Sequence, residues 1–423
     1  MRSHIPKTFQ QSYRTFGVRV FNAVGRQLRR WGWRRRLSLQ DILDSARRWT
    51  RLSDWGDEGF QEPLRVLLES LEEDAQLDSA GRLFIRLNCI HFVSNRLRMR
   101  RFLKDHPEVL EEPVRRPIFV VGLPRTGTTL LHNLLCQDPG GRPLLLWEAL
   151  QPAPDVDVAS GKRDRRRLNA QRFVTLVDRW GAPELKTVHP LNAHGPEECT
   201  YLLFNTFLTP AFFLYGPVRG YVEWLRGRGR ELLTSCYEQF RTYLQVLQWR
   251  SASRYWVLKS PAHSFGLEAL LSVFPDARVI QTHRDMNQVL PSACSLFAIT
   301  QGLYSDDVDP RRLGRDVLQL LGRELLDRAH SAKMRHPTRV FDIPYASLVA
   351  DPVCAVRSIY EFFGTGPEEG VEQRMRRWLA KNPAHKHGVH RYDLAQFGLT
   401  LADVESAFGP YQRQFAARER VLV

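Results

Sequence analysis

The sequence predicts an α/β protein with three layers, in which helices cover both faces of a parallel sheet. Four short strand candidates support this prediction, at 117–121, 255–259, 278–282 and 339–343, because each has the length of a strand and contains adjacent apolar residues. A helical pattern precedes or follows each candidate. Strands that alternate with helices in this way form a parallel sheet rather than hairpins.

The chain begins with a basic segment, residues 1–36, which holds ten Lys or Arg residues and no Asp or Glu, within a net charge of +15 for the whole chain. Apolar side chains recur at every third or fourth position of this segment, at Tyr13, Phe16, Val20, Val24, Leu28 and Trp31. The pattern is typical of an amphipathic helix that lies on an anionic membrane, and also of a helix whose apolar stripe packs on the protein's own core. A transit peptide is a third interpretation. Nothing resembling a base-reading module accompanies the charge, so we expect no nucleic-acid partner.

Residues 37–112 are predicted to form an α-helical accessory region. Ser38 is followed three residues later by Asp41, which is the pattern of a capped helix start. Apolar side chains at helical spacing recur up to Leu103. A polar stretch bracketed by prolines then leads into the first strand. We therefore place a domain boundary there and assign residues 113–423 to one main domain.

A glycine loop joins the first strand to a helix-like segment. Its two glycines, Gly122 and Gly127, are separated by four residues, the spacing of a P-loop, in which backbone N–H groups and the positive end of a helix bind a phosphate. Thr128 stands where the lysine of nucleotide-hydrolysing P-loops would be, and the nearest cation is Arg125. The loop is therefore P-loop-like and predicts an anion-binding site of another kind.

A second anion-binding pattern follows the strand at 278–282. Arg284 comes just after this strand, and Ser292 lies eight positions further on, about two helical turns along the next helix. A guanidinium and a hydroxyl in this arrangement can bind one phosphate. Two anion-binding patterns at strand ends indicate a ligand with two phosphate-like ends.

The loop and the Arg284–Ser292 pair together resemble those of sulfotransferases that use 3'-phosphoadenosine 5'-phosphosulfate, of the bacterial type. The resemblance covers roughly residues 115–400 and implies a P-loop-like α/β fold. It implies that the loop binds the 5'-phosphosulfate, that the pair binds the 3'-phosphate, and that a basic, glycine-containing segment near the C-terminus lies over the nucleotide. The expected donor-binding residues are Pro124, Arg125, Thr126, Gly127, Thr128, Thr129, Arg284, Ser292, Lys386, Gly388, His390 and Arg391.

Sulfuryl transfer requires alignment of donor and acceptor, removal of a proton, and stabilisation of charge on the leaving phosphate. No metal is obligatory for these steps, so we expect no metal site. Arg125 and the loop amides are candidates for the charge stabilisation. Lys259, at the end of the strand at 255–259, is a further candidate, because ligands lie at the C-terminal ends of strands in open α/β sheets. The alternative is a lysine that only caps the strand end.

The identity of the catalytic base stays open among five residues. His189 is the first choice, because it lies about as far beyond the loop as the catalytic histidine of the cytosolic members of the resembled family. Glu197 and Glu198 come next, with His194 beside them. Glu148 is a candidate because some bacterial members resemble this chain in placing a glutamate soon after the loop helix. Each of these side chains could instead be a helix cap or a solvated charge.

Aromatic residues follow this cluster at high density: Tyr201, Phe204, Phe207, Phe212, Phe213, Tyr215 and Tyr221. They predict an apolar acceptor pocket or, alternatively, the packing of a helix pair in the core. If the pocket interpretation holds, the acceptor is a hydrophobic alcohol, a phenol, or a sterol-like or lipid hydroxyl rather than a free sugar.

The composition is that of an ordinary globular protein, with 43% hydrophobic and 25% charged residues. Six cysteines without paired spacing and no secretory signal predict a cytoplasmic protein, with peripheral membrane contact through residues 1–36 as an addition. No apolar stretch is long enough to span a bilayer. The rival functions are a P-loop small-molecule kinase, with Asp342 as its metal-holding candidate, and a non-catalytic nucleotide-binding protein at a membrane surface. The oligomeric state is open, with a homo-oligomer among the alternatives.

Overall fold

The computed structural model describes residues 15–30, 36–154, 164–180, 185, 189–251, 254–383 and 393–419. Within these residues, a five-stranded sheet forms the centre of the fold, with all neighbouring strands parallel and in the order β2-β3-β1-β4-β5. The strands are β1 (Ile118–Gly122), β2 (Gly141–Pro143), β3 (Tyr255–Lys259), β4 (Arg278–His283) and β5 (Val340–Pro344).

The four predicted strands are confirmed, each to within one residue at either end. The fifth strand, β2, escaped prediction because its three residues, Gly141, Arg142 and Pro143, form no apolar run. It pairs with the start of β3 at one edge of the sheet. A strand of this length is defined by its neighbour's free hydrogen-bonding edge rather than by its own composition.

Helices fill the connections between the strands. Before β1 lie α1 (Phe16–Arg30), α2 (Leu39–Thr50), α3 (Gln61–Asp74) and α4 (Ser79–Asp105). Between β1 and β3 lie α5 (Thr128–Leu135), α6 (Leu146–Leu150), α7 (Arg166–Trp180), α8 (Thr200–Phe204), α9 (Arg219–Gly227) and α10 (Arg230–Gln248). Between β3 and β5 lie α11 (Leu267–Val273), α12 (Met286–Gln301), α13 (Pro310–Gln319), a π-helix (Leu320–Leu326) and α14 (Asp327–Arg335). After β5 come α15 (Tyr345–Ala350), α16 (Pro352–Phe362), α17 (Val371–Lys381) and α18 (Leu401–Glu419). Short 3₁₀ turns lie at Pro107–Glu111, Pro210–Leu214, Pro261–Ser264 and Leu394–Phe397.

The two faces of the sheet pack into separate apolar clusters. Phe119 and Val121 of β1 belong to a large cluster that also holds Ile90 of α4, whereas Ile118 and Val120 belong to a second cluster with helices α5, α16 and α17. Alternate residues of a strand point to opposite faces, so the sheet is covered on both sides. This confirms the three-layer α/β fold. The domain boundary before residue 113 stays a prediction.

Helix α2 begins as the sequence predicts. The side chain of Ser38 accepts a hydrogen bond from the backbone N–H of Asp41 and caps α2. Asp78 caps α4 in the same way through the N–H of Gly81 at 2.7 Å. A Cβ on Gly81 would lie 1.9 Å from the carbonyl oxygen of Tyr304, so the start of α4 packs directly against the chain that follows α12. The helices before β1 are thus in contact with the rest of the molecule.

Helix α1 packs through one face only. Asn22 is buried, and its Oδ1 accepts a hydrogen bond from the N–H of Ala80 at 2.9 Å. Phe16, Val20 and Val24, from the apolar stripe noted in the sequence, are instead 75%, 46% and 56% exposed. The interpretation in which this stripe packs on the protein's own core is therefore wrong for these three residues. The remaining stripe positions are Tyr13 and Trp31, which lie outside the described residues, and Leu28.

Among the described helices, none combines the length and the hydropathy needed to cross a bilayer. All six cysteines lie in the described residues, and each is a free thiol.

Candidate active site

The glycine loop leaves the central strand β1 in a conformation that requires glycine. Gly122 has φ +135°, and a Cβ there would lie 2.4 Å from Oγ1 of Thr282 on β4. Gly127 has φ +91°, and its Cβ would meet the ring of Tyr345 at 2.8 Å. Between them, the hydroxyl of Thr126 bonds the carbonyl oxygen of Leu123 at 2.7 Å and Oγ1 of Thr282 at 2.6 Å. The loop is thereby fixed to the neighbouring strand.

The loop also has the donors that an anion needs. The backbone N–H groups of Arg125, Thr126 and Gly127 form no hydrogen bond with any residue that the structure describes. They directly precede α5, whose N-terminus carries a partial positive charge. Arg125 itself has φ +72°, a conformation that few non-glycine residues adopt. This combination fits a phosphate or sulfate group held by the loop.

Two arginines from different strand ends meet beside the loop. Nη1 of Arg284 donates a hydrogen bond to the carbonyl oxygen of Arg125 at 3.0 Å, and Nε of Arg125 donates to Oγ of Ser292 at 3.1 Å. The guanidinium of Arg284 lies over the ring of Tyr345, 4.1 Å from its centroid. The structure thus brings together the loop, Arg284 and Ser292, which are far apart in sequence. A guanidinium beside an anion-binding loop is a typical partner of a phosphate.

The acid and base candidates form a second connected group. Nε2 of His189 lies 3.0 Å from Oε1 of Glu197, which also accepts the N–H of Glu198 at 2.8 Å. Oε1 of Glu198 accepts a hydrogen bond from Nζ of Lys259 at 2.5 Å, and its Oε2 accepts one from Thr200 at 3.1 Å. Lys259 is only 3% exposed, so its charge is balanced mainly by Glu198.

Backbone contacts explain why this group assembles at the C-terminal edge of the sheet. The N–H of Glu197 bonds the carbonyl oxygen of Leu144 at 2.8 Å, just after β2. The N–H of Cys199 bonds the carbonyl oxygen of Lys259, at the end of β3, at 2.9 Å. The segment that carries the two glutamates therefore crosses the ends of two parallel strands, where ligands lie in open α/β sheets.

The charges within this group shift the proton affinities of its members. The Glu197 carboxylate raises the pKa of His189 above its ordinary value, although burial opposes this shift. Burial favours the neutral acid in Glu197, but His189 and Lys259 outweigh it and lower the pKa of Glu197. Burial acts in the same direction on Glu198, and Lys259 and His189 again outweigh it and lower the pKa of that residue. At neutral pH both carboxylates are therefore ionised, and His189 binds a proton more tightly than a free imidazole does.

One cavity, with a volume of about 590 Å³, joins the loop to this group. Its wall includes Arg125 and Thr129 of the loop region and the side chains of His189, Glu197 and Glu198. Most of the remaining wall is apolar, with contributions from Phe84, Trp147, Leu150, Phe173, Val177, Phe204, Leu214, Phe297, Leu320 and Leu325. A group bound by the loop and an apolar molecule in the cavity would therefore be neighbours.

The dense aromatic residues after Glu198 divide between the two predicted roles. Tyr201, Phe204 and Tyr215 line the cavity. Phe207, Phe212, Phe213 and Tyr221 are buried in the large apolar cluster instead, and do not line the cavity. Three of these residues thus line a cavity and four pack in the core. That the cavity takes the acceptor stays a prediction.

Several predicted site residues do not reach the cavity wall. Glu148 is buried, with Oε1 2.6 Å from Nη2 of Arg142 and Oε2 accepting the N–H of Leu145, and it does not line the cavity. Lys259 is also absent from the lining and contacts the cavity only through Glu198. His194 is exposed on the surface. The predicted C-terminal residues Lys386, Gly388, His390 and Arg391 lie outside the described residues.

Helix α4 contributes to the cavity although the sequence placed it in an accessory region. Asn88 and His91, three residues apart on one face of α4, both line the cavity, as does Tyr304 after α12. The available signal was a pair of polar residues at helical spacing within an apolar pattern. Nothing in the sequence showed that this face would meet the loop.

Comparisons with known proteins agree with this arrangement. The sulfotransferase family model matches residues 117–369, more than half of the chain. The omega-hydroxy-beta-dihydromenaquinone-9 sulfotransferases Stf3 of Mycobacterium bovis and of Mycobacterium tuberculosis are each 30% identical over 305 residues, which is 66% of this chain and 71% of the relative.

Solved structures extend the similarity beyond the matched region. Sulfotransferase STF9 from Mycobacterium avium is 31% identical with a TM-score of 0.79, and covers 89% of this chain and 96% of its own. Sulfotransferase STF1 from Mycobacterium tuberculosis is 30% identical with a TM-score of 0.78, and covers 89% of this chain and 99% of its own. With the P-loop-like fold and the anion-binding loop already described, these similarities show that the chain belongs to the sulfotransferase family and is a sulfuryl-transferring enzyme.

Proposed function

We propose that this enzyme transfers the sulfuryl group of 3'-phosphoadenosine 5'-phosphosulfate to the hydroxyl of a hydrophobic lipid or small-molecule acceptor. The observation that supports this most directly is the cavity, because one continuous wall carries the anion-binding loop, three ionisable side chains and a large apolar surface. A donor bound at the loop and a hydroxyl at the end of an apolar chain would meet there without crossing bulk water.

The donor is assigned to the loop and to the two arginines. The free N–H groups after Pro124 and the start of α5 suit the phosphosulfate, with Arg125, Thr128 and Thr129 beside it. Arg284 and Ser292 suit the second phosphate, since they are already linked to the loop through Arg125. These donors would stabilise the negative charge that develops on the leaving phosphate when its bond to sulfur breaks.

His189 is the proposed base. Its Nε2–H points to the ionised Glu197, which leaves Nδ1 as the proton acceptor. A carboxylate in this position orients an imidazole and stabilises the imidazolium that forms. In the proposed reaction, Nδ1 takes the proton of the acceptor hydroxyl, the oxygen attacks sulfur, and 3'-phosphoadenosine 5'-phosphate leaves.

Glu198 is the alternative base. Its two oxygens already accept hydrogen bonds from Lys259 and Thr200. Burial favours the neutral acid, but Lys259 and His189 outweigh it and lower the pKa of Glu198, and so its proton affinity. Lys259 is then a positioning residue for this carboxylate rather than a contact of the donor. Glu148 is not a candidate base in this proposal, because its carboxylate pairs with Arg142 and does not line the cavity.

The apolar wall supports a hydrophobic acceptor. The relatives named above as Stf3 are named for a substrate with a hydroxyl on a dihydromenaquinone, which is a lipophilic molecule. A long, mostly apolar cavity favours an acceptor of the same general class here, because apolar surface that is removed from water provides the affinity.

A nucleoside triphosphate kinase is the rival that a direct test can exclude. Its metal-holding candidate, Asp342, is already bonded to Nε2 of His283 at 3.0 Å and paired with Lys333. Calorimetry should compare binding of 3'-phosphoadenosine 5'-phosphate with that of ATP, each with and without magnesium. We expect tight, magnesium-independent binding of the former. Magnesium-dependent preference for ATP would contradict the proposal.

We also propose that α1 contacts an anionic membrane surface. Its docked face, with Asn22 and with Gly25 closely opposed to Ser79, leaves the exposed Phe16, Val20 and Val24 unpartnered among the described residues. The segment around it has ten basic residues and no acidic one. Exposed apolar side chains with basic neighbours are typical of an interfacial helix. Val18, on the docked face of α1, lines the cavity, so the helix that would contact the lipid also forms part of the cavity wall.

Vesicle sedimentation tests this contact. The variant Phe16→Ser/Val20→Ser/Val24→Ser should lose most of its binding to phosphatidylglycerol vesicles, because it removes apolar surface without a change in charge. The control is Met334→Ser/Leu401→Ser, which removes two equally exposed apolar side chains elsewhere. Equal binding of the two variants to these vesicles would contradict the proposal. Equal binding of the unaltered protein to vesicles with and without anionic lipid would also contradict it.

A further inference from the structure

The cavity wall holds a group of polar side chains that the proposed mechanism does not use. Tyr201, Tyr215 and Tyr304 line the cavity, and their hydroxyl groups form no hydrogen bond with the described part of the chain. We call these three residues the tyrosine cluster. The rings of Tyr215 and Tyr304 lie 5.0 Å apart, and Phe204 contacts both Tyr215, at 5.5 Å, and Tyr201, at 6.3 Å. The cluster is thus one continuous patch.

The phenols are neutral hydrogen-bond donors. Burial raises the pKa of Tyr201 and of Tyr215 far above the ordinary value, and it raises that of Tyr304 as well. The carboxylates of Glu197 and Glu198 add to the increase in the pKa of Tyr201, which shows that the cluster begins beside the acid and base group. Each phenol therefore keeps its proton over the whole physiological pH range.

Helix α4 adds polar groups to the same wall. Burial lowers the pKa of His91 to about 4, so its ring is neutral. Nε2 of His91 lies 2.7 Å from the carbonyl oxygen of Leu150 and must carry the proton, which leaves Nδ1 as an acceptor. The side-chain amide of Asn88 forms no hydrogen bond with the described residues. These residues thus add donors and an acceptor to the wall of the same cavity.

A purely hydrocarbon ligand would leave these groups unsatisfied. A buried polar group that loses its partner costs about 1–3 kcal/mol. Sites that hydrogen-bond a substrate oxygen discriminate strongly against analogues that lack it, for the same reason. An apolar cavity for plain alkyl chains would be expected to carry phenylalanine where this chain has tyrosine.

We infer that the acceptor carries an oxygen-bearing group, an ether, a carbonyl or a second hydroxyl, in addition to the hydroxyl that receives the sulfuryl group, and that the tyrosine cluster binds this group. The substrate class is then an oxygenated lipid rather than a plain long-chain alcohol. The inference rests on the proposed function, because it takes the cavity as the acceptor site.

Ligand binding tests the inference without requiring turnover. Calorimetry in detergent should compare nonadecan-1-ol with chain-matched alcohols in which one CH₂ is replaced by an ether oxygen, moved stepwise along the chain. We expect at least one ether to bind about 5-fold more tightly than nonadecan-1-ol, since one net hydrogen bond is worth about 1 kcal/mol. The inference would be overturned if nonadecan-1-ol bound as tightly as every one of the ethers.

Tyrosine-to-phenylalanine variants, which remove only the hydroxyl group, show which residues cause the preference for the ether. Tyr304→Phe and Tyr215→Phe should each reduce the preference for the ether to about 2-fold and leave the affinity for nonadecan-1-ol unchanged. Tyr304 is partly exposed, so its variant carries the test if Tyr215→Phe fails to fold. The matched control is Tyr221→Phe, whose hydroxyl bonds the carbonyl oxygen of Phe207 at 2.6 Å, outside the cavity. A preference that survives both variants would also overturn the inference. Ether preference without sulfated product would count against the proposed function alone.

Discussion

Arg284 donates a hydrogen bond from Nη1 to the carbonyl oxygen of Arg125 at 3.0 Å, and so joins the end of β4 to the loop that follows β1. This contact places the guanidinium of Arg284 beside the loop, at the C-terminal edge of the sheet, where it can pair with an anion that the loop binds. The relation makes Arg284 part of the donor site in the proposed function.

The first prediction concerns this arginine. Arg284→Ala should weaken the binding of 3'-phosphoadenosine 5'-phosphate by about 2–5 kcal/mol, because it removes a charge that pairs with a desolvated phosphate. Calorimetry measures the change. Arg357→Ala, which removes an exposed arginine paired with Glu372, is the control and should leave the affinity unchanged. Equal affinities for the two variants would exclude Arg284 from the donor site.

The pH dependence of kcat/KM distinguishes the two candidate bases. Glu197 raises the pKa of His189 above 6.5, so a histidine base becomes active only as the pH rises through this higher value. The pKa of Glu198 is lowered from 4.5, so a carboxylate base would already be active above that pH. We expect kcat/KM to fall on the acid side with an apparent pKa above 6.5. The variant Glu197→Gln should move this fall to lower pH. A flat profile between pH 5 and 8 would favour Glu198.

The buried ion pair of Lys259 and Glu198 predicts a stability effect. Lys259→Met leaves the carboxylate of Glu198 without its main partner and should lower the free energy of unfolding by about 3 kcal/mol. We expect the low end of the usual range because Glu198 is 22% exposed. The double variant Lys259→Met/Glu198→Gln should recover most of the loss in urea unfolding. If the double variant is as unstable as the single one, the charge of Glu198 is not the cause.

The loop geometry predicts that Gly127 cannot be replaced without strain. Gly127→Ala should cost about 1–2 kcal/mol of stability for the left-handed conformation alone, with a further clash against the ring of Tyr345. Because the displaced loop would lose its N–H donors, binding of 3'-phosphoadenosine 5'-phosphate should fall as well. Gly229→Ala is the matched control, since a Cβ there has no neighbour within 4 Å among the described residues. Thermal unfolding and calorimetry on both variants check the two effects.

The fold was predictable because its signals are local. Each of β1, β3, β4 and β5 contains adjacent apolar residues, and the spacing of Gly122 and Gly127 identifies the loop from a few neighbouring residues. Short β2 was missed, since pairing with β3 rather than its own composition defines it. The candidate bases were found only as a set, because sequence distance does not show which carboxylate faces a cavity and which, like Glu148, pairs with an arginine elsewhere.

The fold class, the loop and the two arginines were predictable from the amino-acid sequence, because periodicity, glycine positions and strand ends are properties of short segments. How these segments meet depends on the packing of the folded chain. This packing placed His189, Glu197 and Glu198 on one cavity wall with Arg125, turned Lys259 toward Glu198, and brought Asn88 and His91 of α4 to the same cavity. Such contacts depend on the packing of residues far apart in the chain, which no local pattern encodes.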